Sequence, residues 1–445
     1  MPPKLNNIAS VRNPWQIMST PKQKIAEFYP PRRNRIFVRL LQTIAPPLVR
    51  WRFRLDVEIS QDCLEKLENL RDQRLLLLPN HSNFDDPASM FLLSARLGEA
   101  FNYLAAFEGF KGLQGCFLQQ AGVYSIRRGV ADRASIAQTL ELLTQPKCRL
   151  VIFPEGDCSF QNDTVMPFRV GAVQIALQAI AKLVKRGSTP PDLYLVPISI
   201  KYRYTQDMNP AIDAILNRLE QALQVKKASS LYERLRVVAE QVLVNCEQEY
   251  GVYTPENAHQ PWNQRISNLK AFVLHSCEEK LAIASSPNEL NRERVYKIEY
   301  VLQSKAETLV ADDFWNASSI QKAAMRLLNF DAIYDGYVAA APTPERFLDT
   351  LTRLEREVFD IDQPPPKGHK IAAIWIGDPV NLKDYFQDYQ EDRSGTVNYL
   401  VENVQQAVQS NLDRLMPFSS FIPDQLPNKD DRGGQASSPN MASKK

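Results

Sequence analysis

The sequence predicts an α/β fold: a layered domain with a mostly parallel sheet, interrupted by an all-helical insertion. Three observations lead there. Short apolar runs recur at Leu75–Leu78, Arg149–Phe153 and Leu193–Tyr202, each the right length for a strand buried on both faces. Helical periodicity alternates with them, the rhythm of strands joined by crossover helices. From about Asn209 to Phe359 only helical spacing remains, until Ile371–Ile376 restores an apolar strand. That interval of about 150 residues is an ordinary domain size.

With 445 residues, 44% hydrophobic and 23% charged, the chain has material for two or three domains and a substantial core. Six cysteines (Cys63, Cys116, Cys148, Cys158, Cys246, Cys277) form no Cys-x-x-Cys pair and have no His at ligand spacing. Reduced thiols in a cytosolic protein are therefore expected, with no metal site and no disulfide framework. Neither an N-terminal signal nor a transmembrane helix is expected, because no run approaches about 18–20 apolar residues. The net charge of +2 hides an asymmetry, since residues 1–54 hold eleven Lys/Arg against one acid, Glu27. A basic arm on a mildly acidic body suggests an anionic partner.

Taken in order, residues 1–54 form that arm. Ile36, Phe37, Leu40, Leu41, Ile44, Leu48 and Trp51 recur at helical spacing beside Arg35, Arg39 and Arg50. The pattern suits a segment lying in a membrane interface. It also suits an arm packed on its own domain or touching nucleic acid. Pro46-Pro47 is expected to break it into two short pieces. Residues 55–204 and 369–416 form the two parts of the α/β domain, with 205–368 as the helical insertion and 417–445 as a disordered tail. Glu58–Leu70 reads as a short amphipathic segment, Ala88–Leu97 as a helix and Gly122–Arg128 as a strand. Asp132 is positioned to cap a helix running to Leu143. Ala172–Lys185 is a helix ended by Lys185, Arg186 and Gly187. Within the insertion, Pro344–Phe359 is the clearest helix, with Phe347, Leu351, Leu354 and Val358 on one face and Thr343-Pro344 at its start. Pro364-Pro365-Pro366 makes a stiff connector, and Thr396–Met416 is a final helix.

Chemistry gathers at the strand ends, where open α/β sheets place their ligands. His81 follows the Leu75–Leu78 strand, with Asp85 and Asp86 four and five residues on. An imidazole beside a carboxylate suits a general base whose proton position the carboxylate fixes. Spacing alone leaves the carboxylate open, and Asp85 would face His81 better on a continuous helix. Arg127 and Arg128 end the next strand, Glu155-Gly156 follow the third, and Val196-Pro197-Ile198 lie in the fourth. A base, a guanidinium and a carboxylate in one cleft suit group transfer to a hydroxyl on a phosphate-bearing acceptor.

In these motifs the sequence resembles the phospholipid/glycerol acyltransferase family, which includes the 1-acyl-glycerol-3-phosphate acyltransferases. Asn80-His81 to Asp86 resembles its His-x-x-x-x-Asp motif, and Gly122–Arg128 its second block. Phe153-Pro154-Glu155-Gly156 resembles its third and Val196-Pro197-Ile198 its fourth, in register over roughly residues 75–202. Gly377-Asp378-Pro379-Val380 looks like its late strand. The resemblance implies His81 as general base oriented by Asp86, with Asp85 as the fallback. It implies Arg128, with Arg127, for the acceptor phosphate, Glu155 and Gly156 for its hydroxyls, and Val196, Pro197 and Ile198 for an acyl or acceptor pocket. No cofactor is implied; acyl-CoA or acyl-carrier protein is the co-substrate. The implied partners are an anionic membrane surface, a lysolipid acceptor and acyl-carrier protein, not nucleic acid, with the protein peripheral on a membrane's cytoplasmic face. One departure stands out: Asp157-Cys158 replace the family's Thr-Arg, removing a second phosphate-gripping cation. Arg169, Lys201 and Arg203 are candidates to replace it. An O-acyltransferase for another lipid alcohol, and a catalytically silent membrane scaffold, are the alternatives.

Overall fold

The computed structural model describes residues 28–286, 289–305, 309–310 and 313–415. The expected tail at 417–445 and the first half of the arm lie outside the described residues. The chain enters through α1 (Arg35–Phe53), β1 (Leu55–Ile59) and α2 (Gln61–Glu68), then β2 (Arg74–Pro79) and α3 (Asp86–Leu97). β3 (Asn102–Ala106), α4 (Gly112–Gln120), β4 (Val123–Ile126), α5 (Arg133–Thr144) and β5 (Arg149–Val151) follow. α6 (Gly171–Lys185) and β6 (Leu193–Tyr204) complete this part. The strands assemble in the order β1-β7-β6-β2-β5-β3-β4, where β7 (Lys370–Ile376) arrives after the helical stretch and β8 (Val380–Asn381) pairs with β6.

The sheet is mostly parallel. β6, β2, β5, β3 and β4 run together, while β7 lies antiparallel to β6 and parallel to β1. β2 shows why the fold is layered. Its four leucines are at most 1% exposed, and successive residues point to opposite faces. Leu76 and Leu78 join the apolar cluster with Ala176, Ile180 and Val404, whereas Leu75 and Leu77 join the one with Val49, Leu67 and Met90. Each such leucine contributes roughly 1.5–3 kcal/mol on burial.

Between β6 and β7 the chain is helical, as its periodicity predicts. It forms α7 (Asn209–Leu223), α8 (Leu231–Glu249), α9 (Trp262–Leu281), α10 (Asn291–Lys305), α11 (Ala317–Asn329), α12 (Tyr337–Ala340) and α13 (Pro344–Phe359). Two apolar clusters of its own hold it together, one around Leu216, Val238 and Leu351 and one around Leu274, Ile298 and Ile320. After β8, α14 (Phe386–Glu391) and α15 (Arg393–Arg414) return to the sheet, where Val404, Val408 and Leu412 are buried.

Three expectations need correction. Pro46-Pro47 do not divide the arm, and α1 runs unbroken through both. The prolines remove two helical donors, but Val38, Ala45 and Val49 are buried and Gln42 Nε2 donates to Ser94 Oγ and the Glu99 carbonyl at 3.2 and 2.8 Å. Packing overrides propensity there. Glu58–Leu70 is not one segment: Leu-Asp-Val-Glu-Ile alternates with a period of two and forms β1, pairing with β7 from Leu55 to Ile59. β3 and α4 were not expected at all. Asp132, by contrast, caps α5 as its position predicts, accepting from Ser135 N at 3.1 Å.

Candidate active site

β2 ends at Pro79, and Asn80 anchors the turn that follows. Its buried side chain accepts from Ile200 N at 2.7 Å and donates to the Ile200 carbonyl at 3.0 Å, fixing the turn to β6. Residues 80–85 are not helical, so the helix spacing that would favour Asp85 does not apply. His81 Nδ1 meets Asp86 Oδ2 at 2.8 Å instead. Asp85 is held by Lys370 Nζ at 2.8 Å. Asp86, fully buried at the start of α3, also accepts from Asn83 N at 2.8 Å and from the Tyr202 hydroxyl at 2.6 Å. With three donors on this carboxylate, the Nδ1–H tautomer follows, leaving Nε2 as the free ring nitrogen. The imidazole is 17% exposed and lies 4.5 Å from the Phe153 ring. Burial would lower its pKa, but the Asp86 hydrogen bond and the charges of Asp86 and Asp157 outweigh that and raise it above the usual histidine value.

Glu155 sits directly against this turn. Its Oε1 accepts from His81 N at 2.7 Å and its Oε2 from Met166 N at 3.2 Å. Burial pushes its carboxyl up to about 8, so it carries a proton at neutral pH. Gly156 has φ +80°, and a Cβ there would lie 2.4 Å from Arg169 Cζ. The positive φ calls for glycine, while the Arg169 side chain could shift to make room.

Arg128 is brought to the same place, but not free. Its Nη1 reaches Asp157 Oδ2 at 3.3 Å and the Tyr296 hydroxyl at 3.1 Å, with its guanidinium 4.4 Å above the Tyr296 ring. Burial would raise the Asp157 pKa, yet Arg128 and Arg292 outweigh it and hold the carboxyl below its usual range. Arg169 also arrives, 5.0 Å from the Tyr296 ring and paired with Glu293 at 2.8 Å. Lys201 and Arg203 do not: Lys201 donates to the Leu412 carbonyl and Arg203 pairs with Glu58. Arg127 stacks on Phe107 at 4.7 Å, its amide donating to Asp132 at 2.9 Å. Val196, Pro197 and Ile198 lie buried on β6 beside β2, and Ile198 also pairs with Ile376 of β7. They are sheet interior rather than pocket wall, because β6 is a central strand covered on both faces. Burial raises the Cys158 thiol well above its usual value, so it is no ready nucleophile.

Four site residues escaped sequence reasoning. Tyr202 supports Asp86 from β6, Asp157 neutralises Arg128, and Arg292 and Tyr296 reach in from α10. Arg292 Nη1 donates to the carbonyls of Glu155 and Asp157 at 3.3 and 3.1 Å, while its Nε holds Asp331 at 2.9 Å. Only Asp157 left a signal, as a break in an otherwise matched motif. Among the described residues no cluster of His, Cys, Asp and Glu is arranged to hold a metal ion.

Comparison with known proteins gives two findings. A stretch of 122 residues is 29% identical to "Translation initiation factor 2 subunit gamma" of Haloquadratum walsbyi, covering 27% of this chain. The chain spans only 29% of that protein's length, and the likeness carries no functional argument. The family model "Acyltransferase" matches residues 63–201, the interval from α2 to the middle of β6 that holds the His81–Asp86 pair, Arg128, Glu155 and Gly156. Residues 63–201 therefore form a domain that matches the acyltransferase family.

Proposed function

We propose that this protein is a membrane-peripheral acyltransferase that moves a fatty acyl group from acyl-CoA or acyl-carrier protein to the hydroxyl of a lysophospholipid, with 1-acyl-glycerol-3-phosphate as the first candidate. The observation that carries the reading is the 2.8 Å contact between His81 Nδ1 and Asp86, inside the acyltransferase-family interval. With Nδ1 so engaged, Nε2 accepts the acceptor's hydroxyl proton as its oxygen attacks the thioester carbonyl carbon. The C–S bond then breaks, and the imidazolium returns its proton to the departing thiolate. Asp86 stabilises that imidazolium. Glu155, protonated, keeps the His81 turn in place without adding a second negative charge.

A membrane-facing role for α1 is supported by its outer face. Ile36, Leu40, Ile44, Leu48 and Trp51 are exposed, Ile36 at 82% and Trp51 at 77%, among Arg35, Arg39, Arg50 and Arg52. Such a face suits an anionic lipid surface. Among the described residues no helix is long and apolar enough to cross a membrane.

The Asp157–Arg128 pair favours a second reading, in which the acceptor is another lipid alcohol without a phosphomonoester. Purified protein with acyl-CoA or acyl-carrier protein and a panel of phosphate-bearing and neutral lipid alcohols separates the two. Turnover that persists in His81→Ala removes the mechanism, and turnover with neutral acceptors alone selects the second reading.

A further inference from the structure

A cavity opens between α8, α9, α11 and α13, wholly within the helical stretch. Its cavity volume is about 130 Å³, room for roughly ten water molecules, and it is open to solvent at its mouth. Leu235, Val242, Ile266, Val273, Phe330 and Leu354 give it apolar walls. No residue of the four acyltransferase motifs lines it, so the reacting groups meet elsewhere.

Its charges are one-sided. Arg236, Lys270, Arg326 and Arg353 line it against one acid, Asp335. Two of these cations already have carboxylate partners: Arg236 pairs with Asp335 at 2.7 Å, and Arg326 pairs with Glu249 and Glu357. The other two meet carbonyl oxygens. Lys270 Nζ donates to the Asp331 carbonyl at 2.9 Å, and burial pushes its ammonium down to about 8. Arg353, 2% exposed, donates from Nη2 to the Ser159 and Phe160 carbonyls, and its Nε has no hydrogen-bond partner. A buried guanidinium with an unused donor at an apolar cavity calls for an anion.

We propose that this cavity binds a long-chain fatty acid, its tail among the apolar side chains and its carboxylate taken up by Lys270 and Arg353. Both cations also connect to the catalytic turn. Arg353 holds Ser159, whose amide donates to the His81 carbonyl at 2.8 Å. Lys270 holds Asp331, which pairs with the Arg292 that supports Glu155 and Asp157. An occupant drawing on either cation is therefore felt at the loop beside His81.

The test is titration of the full-length protein with the fluorescent polyene cis-parinaric acid, followed by displacement with oleate, oleyl alcohol or 1-oleoyl-glycerol-3-phosphate. Saturable binding of one equivalent is expected, with oleate displacing it at least tenfold better than oleyl alcohol. Ala239→Phe and Val242→Phe, which fill the cavity, should weaken binding at least tenfold, while His81→Ala leaves it unchanged. Thermal melting checks that each variant is folded. If the filled variants fail to fold, Lys270→Met serves instead and should erase the preference for oleate over the alcohol. Unchanged parinarate binding in folded filled variants, or a retained preference in Lys270→Met, overturns the proposal. Binding lost in His81→Ala, with lysophosphatidate the best competitor, also overturns it by placing the chain at the catalytic turn. The readout is binding alone, so it does not depend on turnover.

Discussion

Replacing His81 with Ala removes the group assigned to take the acceptor's proton, and kcat/KM should fall by about 10²–10⁴. In the proposed mechanism His81 acts as the neutral imidazole, and because its pKa is raised the acid limb of the pH–rate profile should inflect above about 6.5, the ordinary histidine value. In Asp86→Asn the opposing burial effect dominates, so the limb should move to lower pH while the rate drops. Glu155 gives a separate signal in stability. Its folded-state pKa of about 8 lies above the ordinary glutamate value. The stability it contributes is therefore full below about pH 4 and lost as pH rises through 8. Urea unfolding at pH 5, 7 and 9 should show wild type losing up to a few kcal/mol that Glu155→Gln keeps. Asp157→Asn releases Arg128 from its internal carboxylate. The preference for phosphate-bearing over neutral acceptors should then rise by about tenfold, the worth of one hydrogen bond to a charged group.

α1 joins two properties that sequence periodicity cannot separate. Its inner face of Val38, Gln42, Ala45 and Val49 is buried in the protein, and its outer face of Ile36, Leu40, Ile44, Leu48 and Trp51 is not. Helical spacing of the apolar residues was legible, but both faces carry them, so only packing decides which stripe is left over. Leu40→Asp with Ile44→Asp should abolish flotation with anionic liposomes and leave the melting temperature nearly unchanged, since both side chains are already in water. Undiminished flotation would remove α1 as the membrane contact. Pro46→Ala restores a helical donor and should raise stability by up to about 3 kcal/mol, read as a higher melting temperature.

At the scale of the whole molecule, α10 of the helical stretch closes over the Arg128 and Glu155–Asp157 segments through Arg292 and Tyr296. Gly129 packs so closely on the Tyr296 carbonyl that a Cβ there would lie 2.2 Å away. Arg292→Ala strands Asp331 and two buried carbonyls, and should cost about 3–5 kcal/mol, measured by urea unfolding. It should also lower kcat without touching His81, by loosening the Glu155–Asp157 loop.

Most of the strands, the helical stretch and an imidazole near two candidate carboxylates were legible in the chain, because each depends on residues within a few positions of one another. Burial period and turn chemistry act over that range. β1, β3 and, from spacing alone, the choice of Asp86 over Asp85 were not legible. The sequence by itself determined the α/β layering, the placing of His81 near two candidate carboxylates and the acyltransferase motifs. Tertiary structure alone decided that Tyr202 supports Asp86 across 116 residues and that Tyr296 covers Arg128 across 168. It also decided that Lys370 claims Asp85 and that a cavity opens among α8, α9, α11 and α13. The physical reason is range: local spacing fixes which side chains share a turn or a face, whereas a hydrogen bond between distant segments exists only once their backbones have packed.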